Sequence, residues 1–169
     1  MSGTNIQIIG GGIVGLSIAR ELLGRGADVT VFERGRVGRQ ASYVAGGMLA
    51  ASAEVGFEEF DLYRLCSESL ARWPAFAANL QEETGIDVDY RAEGSLIVAE
   101  DRDAAEALRW AFEFQREHGF NVLWLSAAEA LEREPFLSPR IAAAVFAPED
   151  HAVDNRQVIR ALARSIELR

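Results

Sequence analysis

The feature that most constrains this 169-residue chain lies near its start, where Gly10-x-Gly12-x-x-Gly15 sits between two different periodicities. Ile6–Ile9 is a short apolar run of strand character. After the glycines, Ile13, Val14, Leu16, Ile18, Ala19, Leu22 and Leu23 recur near the helical period, and Gly24 and Gly26 stop the helix. Asp28–Glu33 is β-branched and reads as a second strand. Strand, glycine turn, helix, strand is a βαβ unit, and its crossover makes the two strands parallel. The spacing then has a mechanical reading. Gly10 permits the tight turn, Gly12 has no Cβ to obstruct a pyrophosphate, and Gly15 lets the helix pack close to the strand. The amides of the helix N-terminus suit phosphate. Eighteen residues beyond Gly15, Glu33 stands where an acid accepts hydrogen bonds from adenosine ribose hydroxyls and repels a 2′-phosphate. NADP is therefore disfavoured, while NAD and FAD both satisfy the pattern.

Charge and composition exclude other classes. Arg and Lys number 17 against 26 Asp and Glu, a formal net charge of −9, which argues against a nucleic-acid partner. The single cysteine, Cys66, permits no intramolecular disulfide and suits a reducing cytosol. The first residues carry no basic leader, and the apolar stretch Ile6–Ala19 is too short for a membrane anchor, so a soluble cytoplasmic protein is expected. No metal-ligand spacing, P-loop or Ser/His/Asp set stands out.

Beyond the fingerprint, residues 35–53 are rich in Gly, Ala and Ser, which allows close backbone approach. A helical pattern runs from Phe57 to Glu83, with a kink or restart expected at Pro74 and a stop at Thr84-Gly85. Ile86–Arg91 and Ser95–Ala99 read as a hairpin around Glu93-Gly94. Helices are expected over Asp101–His118 and Arg156–Leu168, and strands at Val122–Leu125 and Ala142–Phe146. Ser126 followed by Glu129 is a capping-box signature for a short helix before Pro135. The fold class is thus α/β. A Rossmann-like βαβ layer (residues 1–85) joins part of an antiparallel-sheet domain (86–150), and a helix returns to the first layer (151–169).

The residues after Glu33 narrow the reading. Arg34-Gly35 and then Val37-Gly38-Arg39-Gln40-Ala41-Ser42-Tyr43-Val44-Ala45-Gly46-Gly47-Met48-Leu49 resemble the glycine oxidases of thiamine biosynthesis, within the D-amino-acid-oxidase-like flavoproteins. Glu93-Gly94-Ser95-Leu96, Trp124-Leu125, Leu131–Pro135 and Asp150 through Val153-Asp154 match in combination. The resemblance covers the whole chain and implies FAD as cofactor. By position it places Ile13 and Val14 over the pyrophosphate, with Glu33 and Arg34 at the adenosine end. Ala41 and Ser42 continue the contact, and Gly46, Gly47 and Met48 reach towards the flavin. A hydroxyl-bearing pair is common where Ala41-Ser42 stands, so one side-chain hydrogen bond is lost at Ala41. The implied reaction is oxidative deamination of glycine, sarcosine or a small D-amino acid, with O₂ as oxidant and H₂O₂ as product. Such a reaction could supply glycine imine for thiazole synthesis. The alternatives are a non-catalytic FAD- or NAD-binding module and another FAD-dependent D-amino-acid dehydrogenase.

No substrate-clamping Arg is identifiable, because the resemblance places that function in the second half of a polypeptide about twice this length. The last helix also runs to Arg169 without a stop signal, and two parallel strands alone do not make a stable sheet. A truncated chain is therefore expected, with the C-terminal half and a homo-oligomer as its partners and no catalytic residue assigned. Elsewhere the structural readings dominate. Cys66 is read as a buried thiol and His118 as a helix-terminal cap. Trp73, Trp110 and Trp124 are read as packing residues.

Overall fold

A computed structural model of the chain describes residues 5–53, 55–56 and 59–169. In chain order the elements are β1 (Asn5–Ile9), α1 (Ile13–Gly24), β2 (Asp28–Phe32), α2 (Ala41–Val44), β3 (Met48–Leu49), α3 (Phe60–Leu70) and α4 (Trp73–Thr84). There follow β4 (Ser95–Ala99), α5 (Arg102–Glu117), β5 (Leu123–Ser126), α6 (Ala127–Arg133), β6 (Ala143–Ala147), β7 (His151–Ala152) and α7 (Asn155–Glu167). The expected helix start at Phe57 and Glu58 lies outside the described residues. The chain divides into two compact units. One comprises Met1–Met48, Arg72–Tyr90 and Val153–Arg169; the other comprises Leu49–Ala71 and Arg91–Ala152. The class is α/β, with a parallel pair in the first unit and an antiparallel sheet in the second.

In the first unit β1 and β2 pair in parallel, from Asn5 opposite Asp28 to Ile9 opposite Phe32. Side chains alternate as strand geometry demands: Ile6, Ile8, Val29 and Val31 turn inward, while Asn5, Gln7, Asp28 and Thr30 face out. Among the described residues β1 has β2 as its single strand neighbour, so the sheet is not the doubly covered one that its apolar content suggests. Ile9 is 92% exposed. Helices α1, α4 and α7 are tied by a half-buried ion cluster. Arg20 donates from Nη2 to Glu83 Oε2 at 2.8 Å and from Nε to Ser165 Oγ at 3.0 Å, and Arg169 Nε reaches Glu83 Oε1 at 2.8 Å. Burial raises the Glu83 carboxyl, but the bonds from Arg20 and Ser165 and the charges of Arg20 and Arg169 overcome this and hold it below its ordinary value. Pro74 falls in the first turn of α4, so the expected restart is real: α3 ends at Leu70 and α4 begins at Trp73.

In the second unit β6 lies between β4 and β5, antiparallel to both. Its sequence, Ala-Ala-Val-Phe-Ala, is apolar throughout because both faces of the central strand are covered. On one face Val145 and Ala147 join Phe120 and Val122, packed by Tyr63, Leu108, Phe112 and Trp124. On the other, Ala144 joins Leu125, Ala130 and Ile141. Ser126 and Glu129 form the expected capping box at α6. His118 Nδ1 lies 2.7 Å from the Phe114 carbonyl oxygen, so its Nδ1–H tautomer caps the end of α5.

Several expectations need correction. Ile86–Arg91 is not a hairpin strand. Asp89 turns to a φ of +50°, its amide donates to Asp87 Oδ1 at 2.9 Å, and Arg91 makes an isolated bridge to Ala152. The partner of β4 is β6, from Ser95 opposite Ala147 to Ala99 opposite Ala143. Gly94 matters as a close approach rather than as a hairpin turn, because a Cβ there would strike the Phe146 ring. Cys66 is half-buried rather than buried, and Trp110 is exposed rather than packed.

Asp150 is fully buried, with its Oδ1 accepting from the Ser52 amide at 2.9 Å and its Oδ2 from Ala53 at 3.0 Å. Gln115 holds the same turn by donating from Nε2 to the Ser52 carbonyl at 2.9 Å. Asp150→Ala leaves the buried Ser52 amide and the half-buried Ala53 amide without their carboxyl partner and should destabilise the chain by about 2–4 kcal/mol. Urea denaturation followed by tryptophan emission checks this; an unchanged midpoint refutes it.

Candidate functional site

The fingerprint loop forms as its glycines dictate. Gly10, directly after β1, adopts a φ of +107° and donates its amide to the Phe32 carbonyl at 2.7 Å. Few residues other than glycine accept that φ. A Cβ on Gly15 would collide with the Gly10 carbonyl oxygen and lie 3.3 Å from Ile8 Cγ2. Glycine at 15 is therefore what lets α1 rise directly from the turn. Gly12 is the N-cap of α1 and brings no side chain to cap it. A Cβ there would stand 3.1 Å from Ser42 Oγ, in the space before the helix.

Two oxygens from later in the chain close on this loop. Glu33, just after β2, accepts the Gly11 amide on Oε2 at 2.9 Å and the Gly35 amide on Oε1 at 3.0 Å. The Gly11 bond, then the Gly35 bond, hold its carboxyl below the ordinary value despite some desolvation, with the Arg34 charge adding to the effect. Ser42, carried on α2, accepts the Ile13 amide on Oγ at 2.9 Å. It supplies from 29 residues away the cap that Gly12 lacks.

The structure therefore brings together Gly10, Gly12, Ile13, Gly15, Glu33 and Ser42. Val14, in the first turn of α1, is exposed, and so is Arg34 beside Glu33. Ala41 opens α2, Gly46 and Gly47 follow it, and Met48 stands exposed on β3. Sequence reasoning did not find the link from Ser42 to Ile13, nor the contacts that Asn155 and Arg156 make to the carbonyls of Ser42 and Tyr43. Asp154 caps the helix that carries these two residues, and nothing in spacing tells where that helix will dock.

Chemically this is an anion cradle with an acid beside it. The first-turn amides and the helix dipole favour a phosphate. The Ser42 hydroxyl accepts from Ile13 and keeps its own proton to donate to an anionic oxygen. Each Glu33 oxygen has one backbone donor and retains acceptor capacity for a hydroxyl. Gly12 lets the Ser42 hydroxyl come close to the start of α1, and this donor set of amides, hydroxyl and carboxylate fits a dinucleotide. A separate open cleft of about 580 Å³ lies in the second unit among Val98, Glu100, Phe136, Leu137, Ser138, Arg140 and Ile141, and holds none of these residues. Among the described residues no cluster of three His, Cys, Asp or Glu could hold a metal, and no helix is long and apolar enough to cross a membrane.

Two outcomes follow. Gly15→Ala should cost about 1–3 kcal/mol through the forced separation of α1 from the turn, measured by thermal unfolding. The Glu33 carboxyl titrates below its usual 4.5 in the folded chain. Its contribution is thus present above that value and lost as pH falls through the folded one. An NMR titration should show the Gly11 and Gly35 amides shifting together below pH 4.5; a Glu33 midpoint at or above the usual value contradicts the geometry.

Comparison with known proteins places the chain in a family. The FAD dependent oxidoreductase family matches residues 5–169. The glycine oxidase of Geobacillus kaustophilus is 38% identical over 160 residues, covering 94% of this chain and 42% of that protein. Its crystal structure superposes with a TM-score of 0.90 at 37% identity, covering 95% of this chain and 43% of that one. A bifunctional ThiO/ThiG protein of Trichormus variabilis is 32% identical over 164 residues, covering 96% of this chain and 24% of its own length. The chain thus spans less than half the length of the relatives it matches. It belongs to the family of FAD dependent oxidoreductases.

Proposed function

We propose that the chain forms the cofactor-entry part of an FAD-dependent amine oxidase that acts on glycine, sarcosine or a small D-amino acid. The observation that carries this is the capless N-terminus of α1, closed by the Ser42 hydroxyl and flanked by the Glu33 carboxylate, within a family match over residues 5–169. In this reading the first unit holds the FAD and the second contributes to the substrate side. Ile13 and Val14 lie over the pyrophosphate, which takes the amides of Val14 and Gly15 and the proton of the Ser42 hydroxyl, while the Ile13 amide stays on Ser42 Oγ. Glu33 and Arg34 hold the adenosine, while Ala41, Gly46, Gly47 and Met48 line the path towards the flavin.

Bound FAD supplies the two-electron acceptor for oxidation of the amine C–N bond, with O₂ as terminal oxidant and H₂O₂ as by-product. The chain's own residues bind and orient; none is assigned to proton transfer or to clamping the substrate carboxylate. The glycine oxidase and ThiO/ThiG relatives support a role in supplying glycine imine for thiamine thiazole synthesis. The setting in this reading is the cytosol. The partners in this reading are a polypeptide equivalent to the remaining length of those relatives, and a second copy of the assembled enzyme. A second reading is a dinucleotide-binding module without oxidase activity, which the hydrogen bonds of Glu33 and Ser42 to the fingerprint loop serve equally.

Titration of the purified chain with FAD, NAD and NADP, followed by isothermal titration calorimetry, separates these readings. FAD should bind in preference to both nicotinamide dinucleotides, and Glu33→Gln should weaken it about 10-fold, or 1.4 kcal/mol. Supplying the polypeptide that corresponds to the rest of the Geobacillus enzyme should then yield glycine-dependent H₂O₂. FAD binding without H₂O₂ in that assembly favours the module, and preferential NAD binding sinks the flavin reading.

A further inference from the structure

The strip that carries Ser42 does not hold itself in place. Helix α2 has four residues, too few for a helix to persist on its own propensity. Its support comes from the start of α7, more than 110 positions along the chain and in the same compact unit. Asn155 Nδ2 donates to the Ser42 carbonyl at 2.7 Å, and Arg156 Nε donates to the Tyr43 carbonyl at 3.3 Å. The Arg156 guanidinium lies 4.4 Å from the centroid of the Tyr43 ring, and that of Arg39 lies 4.5 Å from it. The Val153 amide donates to the Gly47 carbonyl at 2.9 Å, and a Cβ on Gly47 would collide with the Val153 carbonyl oxygen.

Helix α7 is a firm wall for this purpose. Asp154 caps it, accepting the amides of Arg156 and Gln157 on Oδ1 at 2.9 and 3.1 Å. Val158, Ile159, Ala161 and Leu162 are buried. Contacts therefore run from α7 to the carbonyls of α2, and from the Ser42 hydroxyl to the first amide of α1. We infer that Asn155 and Arg156 are positioning residues of the dinucleotide cradle. Through the carbonyls of Ser42 and Tyr43 they hold the Ser42 hydroxyl at the first turn of α1. The consequence for cofactor affinity rests on the FAD reading above; the positioning itself does not.

Asn155 is also the first residue of α7, so its role in starting that helix must be separated from its role in holding Ser42. Asn155→Asp does this. A carboxylate at a helix N-terminus suits the dipole and leaves α7 intact, but it cannot donate to a carbonyl. Amide hydrogen exchange of the full ligand-free chain, read residue by residue by NMR, is the test. In Asn155→Asp the Ile13 amide should exchange roughly 5- to 10-fold faster, as loss of one hydrogen bond implies, while Ala19 in α1 and Leu162 in α7 keep their rates. Arg156→Ala should act in the same direction, and Arg156→Lys should not restore the wild-type rate, because an ammonium lacks the planar fork.

In FAD titrations Asn155→Asp should weaken binding several-fold in the wild-type background and add little to Ser42→Ala, since both changes act through one hydroxyl. An unchanged Ile13 rate in Asn155→Asp overturns the inference. So does a parallel rise at Leu162, which would assign Asn155 to the stability of α7. If the Ile13 amide responds but the wild-type chain binds no FAD, the positioning role is upheld and the flavin reading fails.

Discussion

A helix that begins on glycine has no side chain with which to cap itself. In this chain that lack organises the first unit. Gly12 leaves the first amide of α1, and Gly11 the amide of the turn before it, to be answered from elsewhere. The Glu33 carboxylate reaches Gly11, and the Ser42 hydroxyl reaches Ile13. Neither could do so if Gly15 carried a Cβ, because α1 would then stand off from the Gly10 carbonyl and the turn would open. One close backbone contact thus sets where the amides point, where the acid sits and how near the Gly-Ala-Ser strip must pass.

That arrangement was partly legible in the sequence for a physical reason. Glycine spacing, strand alternation and capping boxes are local signals. Gly10, Gly12 and Gly15, the parallel β1–β2 pair and the Ser126–Glu129 cap all fall where short-range rules put them. The restart at Pro74 is equally local. The misreading of Ile86–Arg91 shows where such rules end. The stretch has strand composition, but pairing is a long-range event, and β4 found β6 some fifty residues away. The Ser42–Ile13 bond and the docking of Asn155 on Ser42 were illegible for the same reason. No periodicity records which distant carbonyl an amide will meet.

The second unit solves a different problem. Its central strand β6 is apolar because helices lie over both faces. A buried carboxylate at Asp150, with Gln115 beside it, secures the turn at Ser52 and Ala53. A carboxyl with no solvent exposure is tolerated where hydrogen-bond donors replace water, and two of its donors here are amides nearly one hundred positions away. In both units, then, short loops of small residues are held by polar side chains donated from far along the chain.

The reach from α7 back to Ser42 has a consequence for the order of assembly. During synthesis the fingerprint, the acid and the hydroxyl all emerge early, yet the residues that fix the hydroxyl lie at positions 155 and 156. Closing so long a loop is entropically costly and slow compared with forming α1. A nascent chain therefore holds the Ser42 strip loosely until α7 has left the ribosome. Completion of the site is timed by the docking of one helix.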